Sequence, residues 1–316
     1  MRMTKPSFWN EIKVIYLPIF LILLPLSLIF KIIVANRKFF YKKKKFKKTV
    51  ICVGNIYIGG TGKTPLSLEL NKSIKKMGFN PVIIKKNYDD QIDEIRLIKD
   101  KTKNIIVKKS RIAAIKLAFK KKYDVAILDD GIQDHTIYKK IKIVCFGAQG
   151  IGNGMVMPAG PLRESLSSLK NCQFAIINNI NGKINKKLLS VILKFNKKIN
   201  IFFSNYEPNS NDIKKYKNKK IYAFAGIGNP ENFFKMLSNN NLIVKKIKSF
   251  PDHHKYSFNE IRGILEYAKK NKLKILTTEK DFFRIKHMGF RDIKYISVRL
   301  KIKNRNHFLK KLRSMI

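Results

Sequence analysis

The stretch VGNIYIGGTGKTP, residues 53–65, gathers glycines, a lysine and two threonines in a pattern suited to phosphate. Consecutive backbone N–H groups can converge on an anion where glycines remove side chains. A lysine then neutralises β- and γ-phosphate charge, and a hydroxyl reaches a magnesium ion. Gly59, Gly60, Thr61, Gly62, Lys63 and Thr64 supply these parts and are the expected nucleotide-binding residues. The opening glycine of the usual signature is missing, because position 57 is tyrosine, but that departure falls at the loop entrance. Such a site also needs an acid at the end of a buried strand to hold the metal or its water. YDVAILDDGIQ provides it, with the apolar run 125–128 ending in Asp129 and Asp130. The guanine-selecting pattern [NT]-K-x-D is approached only by Thr278-Glu279-Lys280-Asp281, with the lysine one place late, so ATP with Mg²⁺ is the expected pair.

These residues need a frame. Residues 49–53 form a short apolar run into the loop, and Leu66, Leu70, Ile74 and Met77 follow at helical spacing, which reads as strand, loop, helix. Strand-like runs recur at 81–84, 105–107, 125–128, 141–146 and 174–178, with helical stretches such as 113–121 between some of them. The alternation predicts an α/β fold, a P-loop NTPase-like and mainly parallel sheet with helices on both faces. A second, smaller α/β series starts at IYAFAGIGNPENFF and runs through a helix at 264–269 to the strand KILTTEKD. The expected division is an N-terminal membrane anchor over 1–36, a P-loop domain over 37–210 and a smaller C-terminal α/β domain over 211–316.

Lys and Arg number 67 against 21 Asp and Glu, a formal charge of +46. The lysines are spread along the whole chain without an RNP, zinc-finger or helix-turn-helix signature, so no nucleic-acid partner is expected. An anionic lipid surface or substrate is the better use of the charge. Residues 14–35, VIYLPIFLILLPLSLIFKIIVA, carry one charge, Lys31. As a helix they would run roughly 33 Å, against about 30 Å of bilayer hydrocarbon, although Pro18 and Pro25 should kink them. The run is long for a signal peptide, and Ile33-Val34-Ala35 lacks the small residue at both cleavage positions. The basic flank at 36–48 places the rest of the chain in the cytoplasm, with spanning and half-insertion both open. Three cysteines without ligand spacing fit a reducing compartment and a structural role.

Three further strings narrow the function. GIGNGMVMPAGPLRE at 150–164, AGIGNPENFF at 225–234 and FPDHHKYS at 250–257 follow the glycine loop and DDGIQ in order, and TTEKD comes after them. Together, behind an apolar N-terminal helix, they resemble the tetraacyldisaccharide 4′-kinase family of lipid A biosynthesis, over nearly the whole chain. That resemblance implies transfer of the ATP γ-phosphate to the 4′-hydroxyl of a tetraacyldisaccharide 1-phosphate at the cytoplasmic face of the inner membrane. The implied partners are this acylated lipid and an anionic membrane surface, with no obligate protein partner. It also implies roles: Lys63 on the phosphates, Thr64 with Asp129 or Asp130 at the metal, Asp93 as the base supported by His253, and Glu94 beside it as a substrate or phosphate contact. Arg163 and Glu164, ending PAGPLRE, suit a phosphate contact and the metal shell respectively, and a purely structural turn is the competing reading. Gly152, Asn153 and Gly154 admit either a close approach to phosphate or a simple tight turn.

The chain departs from the family pattern where SRGYGR reads KKNYDD at 85–90, where GDEP reads IDEI at 92–95, and where His135 falls one place late after DDGIQ. These changes leave the cradle intact and bear on acceptor contacts and rate. A membrane-bound P-loop ATPase working as a switch with a protein partner is the alternative function.

Overall fold

The computed structural model describes residues 6–88, 91–147, 150–178, 185–252 and 254–316, the side chain of Lys38 excepted. Its strands are β1 (Thr49–Gly54), β2 (Pro81–Lys86), β3 (Ile105–Lys108), β4 (Val125–Asp129), β5 (Ile141–Phe146), β6 (Phe174–Asn178), β7 (Asn200–Pro208), β8 (Lys220–Ala225), β9 (Ile243–Ser249), β10 (Lys274–Thr278), β11 (Ile293–Ile296) and β12 (Val298–Ile302). The helices are α1 (Leu17–Phe40), α2 (Lys63–Lys76), α3 (Ile92–Lys101), α4 (Arg111–Lys120), α5 (Lys186–Phe195), α6 (Ser210–Tyr216), α7 (Pro230–Asn239), α8 (Phe258–Lys270), α9 (Glu279–Ile285) and α10 (Arg305–Arg313).

Eight strands form one sheet in the order β12-β7-β6-β5-β1-β4-β2-β3, parallel except for the edge pair β12–β7. The central strands are buried on both faces, which is why they read as unbroken apolar runs instead of alternating ones. Two apolar clusters, one per face, carry the burial: Val50, Cys52 and Ile84 lie in one, Ile51, Val53 and Leu70 in the other. From β1 the chain moves out to β2 and β3, returns to β4, and then crosses to β5 on the other side of β1. Loops therefore part at the C-terminal end of β1, the place where open α/β sheets bind ligands. The glycine loop between β1 and α2 lies there.

A parallel sheet of β11-β10-β8-β9 forms the smaller lobe, with its own two apolar clusters. The expected division at 210 needs a correction here. β12 pairs with β7 in the large sheet, and Phe308 and Leu312 of α10 are buried in that sheet's core, so the last residues of 211–316 return to the large lobe. Reach explains it: β7 would otherwise be an open edge, and an antiparallel return strand covers its N–H and C=O groups.

α1 is a helix long and apolar enough to cross a membrane, and most of its surface is exposed. It runs on through Pro25, with Pro18 accommodated in its first turn. The less exposed residues here, Tyr16, Phe20, Leu23, Ser27, Phe30 and Val34, recur at alternating spacings of four and three, a single stripe. Within that stripe the Ser27 hydroxyl donates to the Val156 carbonyl at 3.0 Å and accepts from the Ala159 N–H at 2.9 Å. Upstream, the Trp9 indole N–H donates to the Pro158 carbonyl at 2.9 Å and Phe8 packs edge-on against Phe20. The apolar helix is thus latched to the loop 150–164, and Leu21, Ile22 and Leu28 on other faces remain open.

Candidate active site

The missing glycine at the loop entrance has a structural cause. Residues 56–58 pair with 161–163: the Ile58 N–H donates to the Pro161 carbonyl at 2.9 Å and the Arg163 N–H to the Ile56 carbonyl at 2.7 Å. Tyr57 thereby points into the core, where it is 2 % exposed. A paired residue with a buried side chain and no left-handed φ has no use for glycine. Gly59 (φ 109°) and Gly62 (φ 88°) lie farther along, in the left-handed region, and a Cβ on Gly62 would come 2.7 Å from the Tyr206 hydroxyl. Asn55 ties the turn together. Its amide donates to the carbonyls of Tyr57 and Gly59, its Oδ1 accepts from Arg163, and its own carbonyl accepts from Gln133.

Lys63 and Thr64 open α2, so their positions follow from the loop. Thr64 Oγ1 donates to Asp129 Oδ2 at 3.1 Å and Ser67, one turn on, donates to Oδ1 at 3.1 Å. Asp129 is fully buried at the end of β4. Asp130 follows with φ 57°, a left-handed value that non-glycine residues adopt rarely, and the Arg111 guanidinium donates to its carbonyl. That turn aims the Asp130 carboxylate back at the cradle, 3.8 Å from Lys63 Nζ and 3.0 Å from Arg163 Nη1. Burial works to raise the Asp130 pKa, but Lys63 and Arg163 outweigh it, and the carboxyl is held below its ordinary value.

Glu164, 1 % exposed, lies 3.6 Å from His135 Nε2, so the histidine displaced in the sequence still reaches the loop that ends at Arg163-Glu164. Gly152 and Asn153 take the tight-turn role. A Cβ on Gly152 would run into the Trp9 carbonyl and Pro161, and the Asn153 amide donates to the Phe8 and Ala159 carbonyls. These residues therefore hold the N-terminal segment.

Asp93 and Glu94 start α3 and face α9 of the smaller lobe. Asp93 Oδ2 accepts from Arg284 Nε at 2.7 Å, and Arg284 also binds Asp281 Oδ1 at 2.7 Å and the Gly226 carbonyl. Glu94 is held by Lys280 at 2.9 Å and by Lys85 at 2.5 Å, and Lys101 pairs with Glu279 farther along the same helix. Burial opposes ionisation of Glu94, yet Lys280 and Lys85 drive its pKa far below the ordinary carboxylate range. Gly228 closes the contact between lobes, its Cβ position only 3.2 Å from the Gly60 nitrogen and 3.1 Å from Asp252 Oδ2. The acid pair and the glycine loop thus both border the contact between the lobes.

His253 lies outside the described residues. Its neighbour His254 is bound to Glu260 at 3.0 Å and stacked on Phe250, a structural arrangement. Sequence reasoning does not mark Asn55, Lys85, Arg111, Lys280 or Arg284 as site residues. Asn55, Lys85 and Lys280 do lie inside the strings VGNIYIGGTGKTP, KKNYDD and TTEKD, while Arg111 and Arg284 carry no local mark.

Comparison with known proteins fits this geometry. The family model for Tetraacyldisaccharide-1-P 4′-kinase matches residues 19–316. A tetraacyldisaccharide 4′-kinase of Pelagibacter ubique (strain HTCC1062) is 36 % identical, over 99 % of this chain and 98 % of that protein. One from Rickettsia bellii (strain OSU 85-389) is 32 % identical over 98 % of each chain. The crystal structure of an "apo" form LpxK from Aquifex aeolicus in complex with ATP superposes with a TM-score of 0.70 at 23 % identity, covering 92 % of this chain and 98 % of that one.

Proposed function

Because the chain belongs to the tetraacyldisaccharide-1-P 4′-kinase family, we infer that its glycine loop presents ATP and that the γ-phosphate passes to the 4′-hydroxyl of an acylated disaccharide 1-phosphate in lipid A biosynthesis. The observation that carries the site assignment is the meeting of Thr64, Asp129, Lys63, Asp130 and Arg163 at the head of α2, opposite the carboxylates that start α3.

Phosphoryl transfer demands positioning and charge stabilisation more than covalent chemistry. Backbone N–H groups of 59–64 hold the phosphate chain, and Lys63 offsets its charge. Arg163, fixed by Asn55 and Asp130, lies where a phosphate oxygen can take the place of its carboxylate partner. Asp93 receives the proton of the sugar hydroxyl, with Arg284 orienting its carboxylate through Oδ2 and His253 as its support.

The donors around Thr64 fit magnesium. They are hard oxygens, a hydroxyl already within 3.1 Å of a buried carboxylate, with Asp130 beside them. Among the described residues no three His, Cys, Asp or Glu side chains gather into a cage. Mg²⁺ held by one or two carboxylates plus phosphate oxygens needs none. Thr64, Asp129 and Asp130 would hold it, and Glu164, next to Arg163 in the chain, is a further carboxylate of the same loop. When bound, the ion neutralises charge on the β- and γ-phosphates.

An acylated acceptor stays in its bilayer, so the enzyme must work at the surface. α1 supplies the attachment and its latch at Ser27 ties that attachment to the loop ending in Arg163. With the middle of the helix bonded to the large lobe, half-insertion beside the cytoplasmic face of the inner membrane suits the geometry better than a free span. The basic flank at 36–48 adds attraction to anionic lipid.

The test is direct. Full-length protein in lipid or detergent, given Mg-ATP and tetraacyldisaccharide 1-phosphate, should add one phosphate to the lipid by mass spectrometry. Lys63→Ala should lower the rate by about 10²–10³-fold, the usual scale for losing one preorganised charge donor. A lipid left unchanged while ATP is consumed would favour a switch over a kinase.

A further inference from the structure

Lys85 ends the buried part of β2 and is only 1 % exposed. The parallel register sets it beside Asp129 on β4. Its ammonium lies 2.8 Å from Asp129 Oδ2 and 2.5 Å from Glu94 Oε2, bridging the acid of the cradle and an acid of α3. A buried ammonium is costly unless paired and hydrogen-bonded, and both of these partners are carboxylates. The same Oδ2 of Asp129 accepts the Thr64 hydroxyl. An internal cation is therefore already seated on the oxygen that faces the cradle.

We propose that Lys85 is a positioning residue that keeps a fixed positive charge on Asp129, lowering that carboxylate's affinity for free divalent metal so that metal enters with nucleotide. Glu94 sets the strength of the effect, because it competes with Asp129 for the same ammonium. The inference rests on the reading of Thr64 and Asp129 as metal-holding groups. Like charges a few ångströms apart repel appreciably even at the high effective dielectric of protein sites. Divalent metal approaching Asp129 meets that repulsion unless phosphate charge arrives with it.

The probe is Mn²⁺, titrated into nucleotide-free, full-length protein in detergent and followed by its free-ion paramagnetic resonance signal. Lys85→Met should bind Mn²⁺ on the order of tenfold more tightly than wild type. Lys85→Arg, which keeps the charge, should stay within about twofold, and Glu94→Gln, which gives the ammonium wholly to Asp129, should bind more weakly. General loosening of the site would weaken every variant, so opposite signs set the proposal apart. Circular dichroism checks folding, and Lys85→Gln replaces the methionine variant if that one does not fold. Asp129→Asn, measured with ATP present, tests the underlying metal reading by itself. If Asp129→Asn weakens Mn²⁺ binding but Lys85→Met and Lys85→Gln bind it no more tightly than wild type, the Lys85 proposal is overturned. If Asp129→Asn changes nothing, the metal reading beneath it fails first.

Discussion

The glycine loop, the proposed phosphate cradle, and the seam between α3 and α9 are neighbours built on opposite plans. The cradle is backbone: residues 55–64 fold on themselves through Asn55, two left-handed glycines and pairing with 161–163. The seam is side chains: Asp93 meets Arg284 and Glu94 meets Lys280 across nearly two hundred residues of sequence, each pair largely out of water. A backbone cradle tolerates loss of a side chain, because most of its donors remain. A desolvated charge network does not, since removing one member leaves its partner buried and uncompensated. The cradle should therefore fail in rate and the seam in stability as well.

The widest expected separation is at Arg284. Arg284→Met leaves Asp93 and Asp281 without their shared cation and should cost about 3 kcal/mol or more in urea unfolding, within the range for breaking a buried pair. Lys63→Met on the cradle should cost clearly less in unfolding than Arg284→Met, because its partner Asp130 lies 3.8 Å away and keeps Arg163 at 3.0 Å, so no buried carboxylate is left without a cation. Equal stability losses for the two would erase the contrast. A smaller effect is expected at Asp93, a seam residue that is also the proposed base. Asp93→Asn should slow lipid phosphorylation about 10²-fold or more, the scale of general-base catalysis. Its stability loss should fall short of that of Arg284→Met, because Arg284 keeps Asp281 and the Gly226 carbonyl. Turnover within a few-fold of wild type would remove Asp93 from the chemistry and leave it a seam residue.

The smallest effect lies in acid. Glu94 has a folded-state pKa depressed below its unfolded value by Lys280 and Lys85, against the opposing effect of burial. Its contribution is therefore present in full above the ordinary carboxylate pKa of about 4.3, and is lost as pH falls from there toward the folded value. Melting temperatures taken from pH 7 down to pH 3 should decline more steeply in wild type than in Glu94→Gln. Parallel curves would mean that Glu94 gains nothing from its two lysines.

The cradle was legible in the sequence because its parts are contiguous and its chemistry restricts residue type: only glycine suits the left-handed positions 59 and 62, and only a cation and a hydroxyl suit 63 and 64. The core strands were legible for a related reason, since strands buried on both faces must be apolar throughout. Tyr57 looked like a defect by spacing alone. Its buried setting depends on pairing with the segment 161–163, and no local pattern announces that pairing. Return of β12 to the large sheet was equally hidden, because a five-residue strand near the end of the chain has no local mark of its partner β7.

The sequence by itself thus determined the layered α/β frame, the glycine loop with its strand-end acids and the apolar N-terminal helix, each fixed by short-range periodicity or by backbone conformations few residues adopt. Only the tertiary structure decided that Lys85 sits on Asp129, that Arg284 and Lys280 reach across to Asp93 and Glu94, and that Ser27 latches the apolar helix to the loop ending in Arg163. Charge pairs of this kind act through distance in space. A chain with 67 basic residues offers each acid dozens of partners, and only packing selects among them.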